Sequence, residues 1–325
     1  MKAMLCHAPG APAALKLEDI ATPEPGPGEL RIQVKACGVN FADTLIIAAG
    51  YQVKPPYPFS PGMEVAGVVD AVGEGVNNYK PGDRVMAIIN WGGYAEAVVA
   101  NAMSVLPMPP SMDFPTAAAF PIAYGTSHLA LDHRGRLKPG ETLLVFGAAG
   151  GVGLTAVEIG KHMGATVIAC ASTPEKLAIT RQYGADHTIN YREESIRDRV
   201  RELTNGKGAD VVYDPVGGDA FDQAMRAINW EGRLLVIGFT SGRIPELPVN
   251  LTLVKNCAVV GVYWGAYAQK DPGTLVGSLM TLLNWYSEGH LKPHVSATYP
   301  LAEAPAAMQV LMNRQSTGKV VITME

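Results

Sequence analysis

The chain has 325 residues, which suits two domains of about 150 residues each, and its 48% apolar content can fill two cores. Its formal net charge is −4 and it has no basic run, so nucleic acid is not expected as a partner. No stretch reaches the roughly 18 apolar residues of a membrane span, and the first residues lack the apolar core of a secretory signal, so a soluble cytoplasmic protein is expected.

The first 121 residues have the sequence pattern of an all-β domain. They hold 15 of the 24 prolines, and turn signals at residues 25–28 and 81–83 separate short runs of β-forming residues. The runs predict strands at 30–35, 65–72, 84–89 and 94–99.

Residues 142–153 read as an apolar strand that runs into a glycine-dense turn. A pyrophosphate needs open backbone N–H groups at a helix N-terminus, and Gly150, Gly151, Val152 and Gly153 provide that access. Ala148 stands where the first glycine of G-x-G-x-x-G belongs. Glycine-rich turns of this kind also occur in α/β proteins without a nucleotide, so the motif alone leaves both interpretations open.

A regular spacing follows the turn. Strand-like runs begin near residues 143, 166, 187, 210, 233 and 257, and helical stretches at 152–163, 174–183, 193–204 and 219–228 lie between them. The last two runs are too continuously apolar to face water, as in a parallel sheet covered on both faces. The pattern predicts a doubly wound sheet of six parallel strands.

One position indicates which dinucleotide binds. An NAD site places Asp or Glu at the end of the second strand, about 20 residues beyond the glycines, to bind the ribose hydroxyl. This chain has Ser172 there, with Lys176 after it and Tyr191 at the end of the third strand, which suits the 2′-phosphate of NADPH. The alternative is that Ser172 and Pro174 only open a helix, with Lys176 solvated on its first turn.

The tail after residue 262 turns helical near 275–286 and ends in an edge-like strand at 318–322. We assign it to the first domain, so residues 1–122 with 263–325 form a β-rich domain and residues 123–262 form the cofactor domain. The four cysteines are widely separated in apolar runs, which is typical of free buried thiols.

Motifs along nearly the whole chain resemble the medium-chain dehydrogenase/reductase superfamily. They are, in order, Ala36-Cys-Gly-Val-Asn-Phe-Ala-Asp43, Pro61-Gly-Met-Glu-Val-Ala-Gly67, Pro81-Gly-Asp-Arg-Val85, Gly92-Gly-Tyr-Ala-Glu96, Ala148-Ala-Gly-Gly-Val-Gly153 and Gly318-Lys-Val-Val321. Within that superfamily the chain is similar to the zinc-free quinone oxidoreductases related to zeta-crystallin. The resemblance implies a GroES-like catalytic domain, a Rossmann NADPH domain and an acceptor site in the cleft between them.

The resemblance also implies that no metal is bound. Zinc-bearing members carry Cys where this chain has Asn40, His where it has Met63, and a third ligand in the Phe120-Pro121 neighbourhood. Asn, Met, Phe and Pro are not the thiolate, imidazole or carboxylate donors that zinc prefers.

An Asn-x-x-Asp pair lines the nicotinamide pocket in this family, which corresponds here to Asn40 and Asp43. Asn40 offers N–H donors that polarise a carbonyl oxygen, Asp43 organises the loop, and Tyr51 lies where the family places a tyrosine near the substrate. From the residues alone, Asn40 equally fits a strand end and Asp43 a helix cap.

Further cofactor contacts follow from the resemblance. Thr126, Val262 and Trp264 are expected near the nicotinamide, the turn of Phe239, Thr240 and Ser241 near the cofactor, and Arg314 near a cofactor phosphate.

Three functions remain open at this point. The first is NADPH-dependent reduction of quinones, in which protons can come from water. The second is reduction of an activated C=C bond in an enone, enal or acyl-CoA thioester, with Asn40 as oxyanion donor and Tyr51 or water as proton source. The third is a cofactor-binding protein with a structural or regulatory role. Family members commonly dimerise through the sixth strand of the cofactor sheet, so a homodimer is expected.

Overall fold

The β-rich part of the sequence and the part with alternating strands and helices fold as two separate units. The computed structural model describes residues 1–324. The first unit comprises Met1–Ile122 and the residues from Pro293 onward, and the second comprises Ala123–Lys292. None of the described helices is long and apolar enough to cross a membrane.

Strands dominate the first part of the chain, and strands and helices alternate in the second. Residues 1–120 contain β1 (Lys2–Leu5), β2 (Lys16–Asp19), β3 (Glu29–Val39), α1 (Phe41–Ile47), β4 (Glu64–Val72), β5 (Arg84–Ile88), β6 (Ala97–Asn101), β7 (Val105–Pro107) and α2 (Phe114–Ala118). The chain then enters the second unit with α3 (Pro121–His128), β8 (Thr142–Val145), α4 (Gly151–His162), β9 (Thr166–Ala171), α5 (Pro174–Gln182), β10 (His187–Asn190), α6 (Ile196–Leu203), β11 (Ala209–Asp214), α7 (Gly218–Ala227), β12 (Ile228–Val236), α8 (Asn250–Lys255), β13 (Ala258–Gly261), α9 (Tyr267–Lys270) and α10 (Pro272–Ser287). It ends with β14 (Val295–Pro300), α11 (Ala304–Met312) and β15 (Lys319–Thr323).

Strand β3 organises the first unit because it pairs with several neighbours. It is antiparallel to β4, β6 and β15, in a sheet of order β14-β15-β3-β4-β5-β7. Leu30, Ile32 and Val34 alternate along it and are buried in the core, which is the period-2 pattern of a strand. The pairing brings the last residues of β3 beside the first residues of β4 and β15.

The predicted strands at 30–35, 65–72 and 84–89 are confirmed as β3, β4 and β5. The fourth lies at Ala97–Asn101, later than predicted, because the backbone of Tyr94 bonds to Met4 and Pro61 instead.

The edge-like strand predicted at 318–322 is wrong in its position within the sheet. Strand β15 lies between β14 and β3, so both of its edges are paired. Val320, Val321 and Ile322 are wholly buried, and backbone groups at that depth need partners on both sides.

The second unit confirms the predicted doubly wound sheet. Among the described residues its strands follow the order β10-β9-β8-β11-β12-β13, and every pair is parallel. Leu143, Leu144 and Val145 of β8 are wholly buried, as expected for a central strand covered on both faces. The order reverses beside β8, which places the glycine turn at the position where ligands bind in such sheets.

Assigning all of residues 263–325 to the first domain was wrong. The structure places residues 263–292 in the second unit and returns the chain to the first unit at Pro293. Helix α10 lies there because Ser278 Oγ is 2.8 Å from His128 Nδ1, and Lys292 N donates to Glu158 Oε1 at 2.7 Å.

Candidate active site

The glycine turn between β8 and α4 is shaped to admit an anion. Gly150 is the N-cap of α4 and makes no side-chain cap, which leaves the first N–H groups of the helix, those of Gly151, Val152 and Gly153, to a ligand. A Cβ on Gly153 would lie 2.1 Å from the Gly147 carbonyl oxygen, so only glycine allows this close packing. The turn therefore fits the pyrophosphate of a dinucleotide.

The ends of β9 and β10 bring three predicted cofactor residues into one region. Ser172 directly follows β9, Lys176 lies in the first turn of α5, and Tyr191 N donates to the carbonyl of Ala171 at 3.3 Å. No carboxylate follows β9 directly. This hydroxyl, ammonium and phenol are the types of group that bind a 2′-phosphate.

Glu175, the first acid after Ser172 in the sequence, is engaged at the start of α5. Thr173, not Ser172, caps α5, and its side chain accepts from Lys176 N at 3.4 Å. The pKa of Glu175 is lowered because its carboxylate accepts hydrogen bonds from its own backbone N–H and from the Thr173 side chain. That carboxylate therefore serves the start of α5.

Thr126 and Trp264, both predicted near the nicotinamide, lie on adjacent pieces of the second unit. Thr126 is buried in α3, and a Cβ on the preceding Gly125 would lie 2.8 Å from the indole of Trp264. Trp264 is buried, and its Nε1 has no partner within residues 1–324. An unsatisfied buried donor at this place fits an additional ligand group.

The turn after β12 meets the turn after β11. Thr240 N donates to Pro215 O at 3.2 Å, and Ser241 N donates to Val216 O at 2.9 Å. Phe239 in the same turn is partly exposed, and Val262 N donates to Val236 O at 3.0 Å. These residues lie at the carboxyl ends of parallel strands, where ligands bind in open sheets. Arg314 lies in the first unit, after α11, and its phosphate contact stays a prediction.

In the first unit, the partly buried Asn40 forms a polar cluster with the buried side chains of Glu64 and Lys319. Asn40 follows β3, Glu64 begins β4 and Lys319 begins β15. Asn40 Nδ2 donates to Glu64 Oε1 at 2.9 Å, and Lys319 Nζ donates to Asn40 Oδ1 at 2.6 Å and to Glu64 Oε1 at 2.8 Å. The remaining carboxylate oxygen of Glu64 accepts from Ile122 N at 2.9 Å.

Gly38 makes room for this cluster. A Cβ at that position would lie 2.3 Å from the Ala118 carbonyl oxygen and 2.6 Å from Glu64 Oε1. Both distances are far below van der Waals contact. The glycine of the motif Cys37-Gly38-Val39-Asn40 is therefore needed for the carboxylate of Glu64 to reach Asn40.

Asp43 is buried beneath Asn40 at the start of α1. Its Oδ2 accepts from Asn40 N at 2.8 Å and from the Tyr94 hydroxyl at 3.2 Å, while its Oδ1 has no partner among the described residues. Burial raises the pKa of Asp43 to about 7, against the opposing effects of the Asn40 backbone, Lys319 and Tyr94. The geometry matches a residue that organises the loop.

We expect Asp43→Asn to change how stability depends on pH. The folded pKa of Asp43, about 7, lies above its ordinary value of 3.8, so its contribution to stability is complete below pH 3.8 and is lost as the pH rises through about 7. The free energy of unfolding of wild type, relative to the variant, should be larger at about pH 5 than at about pH 8. Urea titrations measure it, with the exposed Asp19→Asn as control. An equal difference in the free energy of unfolding at both pH values would refute the raised pKa of Asp43.

Two further positions named from the sequence lie in the first unit: Tyr51, predicted near the substrate, and Met63, where zinc-bearing relatives carry a ligand. Tyr51 follows α1 and, like Met63, packs partly buried against the core of the unit. No group of three or more His, Cys, Asp or Glu within residues 1–324 is arranged to hold a metal ion. Lys319 already supplies a cation next to Glu64, so this donor set does not fit zinc.

Sequence reasoning missed the roles of Glu64 and Lys319. Both stand in motifs quoted for the family resemblance, but their partner Asn40 is 24 residues away from Glu64 and 279 residues away from Lys319. An apolar run that opens with a lysine is the only local signal, and it is equally typical of an exposed strand end.

Comparisons with known proteins place both units in described families. Residues 26–110 match the alcohol dehydrogenase GroES-like domain, and residues 151–279 match the zinc-binding dehydrogenase family. The chain is 42% identical to the quinone oxidoreductase-like protein 2 homolog of Nematostella vectensis over 99% of this chain and 88% of the relative. It is 34% identical to human quinone oxidoreductase over 99% of this chain and 97% of that protein.

A solved structure agrees with this. The Escherichia coli quinone oxidoreductase complexed with NADPH superposes with a TM-score of 0.92 at 30% identity, over 99% of this chain and all of that chain.

Proposed function

The chain belongs to the quinone oxidoreductase branch of the medium-chain dehydrogenase/reductase superfamily, and on that premise we propose that it transfers hydride from NADPH to a quinone without a metal. The observation that carries the proposal is the similarity of the whole chain, cofactor turn included, to quinone oxidoreductases, one of which is solved with NADPH. The physiological substrate is then a small molecule, and nucleic acid is not a partner.

The residues proposed to hold NADPH lie in the second unit, with Arg314 of the first unit as the exception. The pyrophosphate is bound by the backbone N–H groups of Gly151, Val152 and Gly153, with Gly150 as the N-cap beside it. The 2′-phosphate is bound by Ser172, Lys176 and Tyr191. Thr126, Val262 and Trp264 border the nicotinamide, the turn of Phe239, Thr240 and Ser241 contacts the cofactor, and Arg314 binds a phosphate. When bound, the nicotinamide supplies the hydride, so the protein needs only to bind and orient the acceptor.

Asn40 is the polarising group for the acceptor in this proposal. One N–H of its amide is bonded to Glu64, and the second is left to donate to a carbonyl oxygen. A neutral amide stabilises developing negative charge on that oxygen without a proton transfer. Asp43 fixes the backbone of Asn40, and Tyr51 shapes the acceptor pocket.

The proposal is tested by steady-state oxidation of NADPH with benzoquinone, followed by the loss of nicotinamide absorbance, with and without a chelator. Turnover that the chelator leaves unchanged is expected, since amide and thioether side chains stand at Asn40 and Met63. One tightly bound zinc per chain, with activity lost when the chelator removes it, would overturn the metal-free mechanism.

Cofactor preference gives a second prediction. We expect NADPH to bind more tightly than NADH, and Ser172→Asp to shift the preference toward NADH, because a carboxylate repels the 2′-phosphate and accepts bonds from the ribose hydroxyls. Titration by nicotinamide fluorescence measures both affinities. Gln182→Glu, which adds the same charge at the other end of α5, is the control. If Ser172→Asp keeps the wild-type preference for NADPH over NADH, Ser172 does not bind the 2′-phosphate.

We also propose a homodimer formed through β13. Among the described strands β13 pairs only with β12, and Val249, Leu253 and Val254 just before it are exposed. An open strand edge beside exposed apolar side chains favours pairing with a second copy. Light scattering at micromolar concentration should give the mass of a dimer, and a monomeric mass would contradict the proposal.

The cytoplasm is the proposed location. Cys6, Cys37, Cys170 and Cys257 are all free and buried, which is compatible with a reducing compartment.

A further inference from the structure

The ion pair between Glu64 and Lys319 is deeply buried. The side chains are 0% and 7% exposed, and Lys319 Nζ uses its three N–H donors on Val39 O at 3.0 Å, Asn40 Oδ1 and Glu64 Oε1. A buried ion pair is rarely more stabilising than apolar residues of the same volume, because desolvation offsets the attraction. Stability alone therefore does not account for this pair.

The pair determines which way the amide of Asn40 faces. Its oxygen meets the ammonium and its nitrogen meets the carboxylate. A rotated amide would place N–H groups against an ammonium and an oxygen against a carboxylate, which are two repulsive contacts in a buried setting. The charges thus allow one orientation, in which a single N–H of Nδ2 is left over.

We propose that Lys319, together with Glu64, is a positioning residue that holds the Asn40 amide with its second N–H toward the acceptor oxygen. The inference rests on the proposed function, in which that N–H stabilises charge on the acceptor. A cation at the amide oxygen also polarises the amide, which makes the N–H a stronger donor. A purely structural pair would instead affect folding and leave the turnover of the folded enzyme unchanged.

The test compares variants of the full-length enzyme. Lys319→Met combined with Glu64→Gln removes both charges together, so neither is left buried and unpaired. Arg31→Met combined with Asp70→Asn removes the ion pair that joins β3 to β4, together with the contact of Arg31 to Glu24, away from Asn40, and is the control. The readouts are kcat and KM for NADPH, with benzoquinone and with cyclohexenone.

We expect the Lys319/Glu64 double variant to lose roughly 10- to 100-fold in kcat with cyclohexenone, by misplacement of one donor, at unchanged KM for NADPH. The control should keep wild-type kcat. Adding Asn40→Ala to the double variant should give the rate of Asn40→Ala alone, because the residues act as one unit.

The outcomes separate the two claims. If Asn40→Ala slows turnover but the double variant does not, the positioning role is overturned and the proposed function stands. If Asn40→Ala has no effect, the role of Asn40 itself fails.

A measurement on the wild-type enzyme tests the same inference even if the double variant does not fold. In NMR spectra of ¹⁵N-asparagine-labelled protein, the Asn40 side-chain signals, identified by their loss in Asn40→Ala, should show one N–H protected from solvent exchange by Glu64. Rapid exchange of both would overturn the inference.

Discussion

Replacing Asn40 with alanine is expected to lower kcat about 10²- to 10³-fold with an enone acceptor, the usual cost of losing one donor to a developing oxyanion. The loss should be smaller with a quinone, whose reduction is intrinsically easier. The affinity for NADPH should change only modestly, because the glycine turn and the residues after β9 that we assign to the cofactor belong to the second unit.

Asn77→Ala is the matched control for that experiment, since the Asn77 side chain is exposed and bonds only weakly to Gly75 O at 3.4 Å. Steady-state kinetics with both acceptors measures the effect. If Asn40→Ala keeps the wild-type kcat with both acceptors, Asn40 is a loop residue and the acceptor site has been assigned wrongly.

Gly38→Ala is expected to destabilise the first unit by about 3–5 kcal/mol, the cost of breaking a buried ion pair. The added Cβ would lie 2.6 Å from Glu64 Oε1 and 2.3 Å from a backbone oxygen, so the carboxylate must leave Lys319. Urea unfolding measures the loss.

Gly50→Ala serves as the control for Gly38→Ala, because its Cβ would meet only Leu45 O at an ordinary 3.7 Å. A Gly38→Ala protein that unfolds at the wild-type urea concentration would show that the cluster tolerates displacement of Glu64.

The cofactor sheet could be predicted from the sequence because its signals are local. Each strand-helix repeat carries its own apolar run and turn, and the spacing of the runs is that of one strand and one helix. The same locality explains why Gly150 and Gly153 could be placed in a strand-to-helix turn from the sequence. A glycine-rich turn between a strand and a helix is recognised within about ten residues.

The features that sequence reasoning missed depend on long-range pairing. Nothing near residue 319 indicates that Lys319 meets Asn40, because the contact is made by the pairing of β15 with β3. Strand β15 was placed at an edge because β14, its outer neighbour, was not recognised. Helix α10 was assigned to the wrong unit because an apolar face indicates that a helix is buried. It does not indicate which part of the chain the helix packs against.

Hydride transfer from NADPH to a quinone without a metal is tested most directly by stopped-flow oxidation of NADPH with benzoquinone, a 2-alkenal and crotonyl-CoA, in the presence of a chelator. We predict rapid oxidation with benzoquinone, slower oxidation with the other two acceptors, and no effect of the chelator. Fast oxidation with the alkenal or crotonyl-CoA and none with benzoquinone would contradict the proposed function.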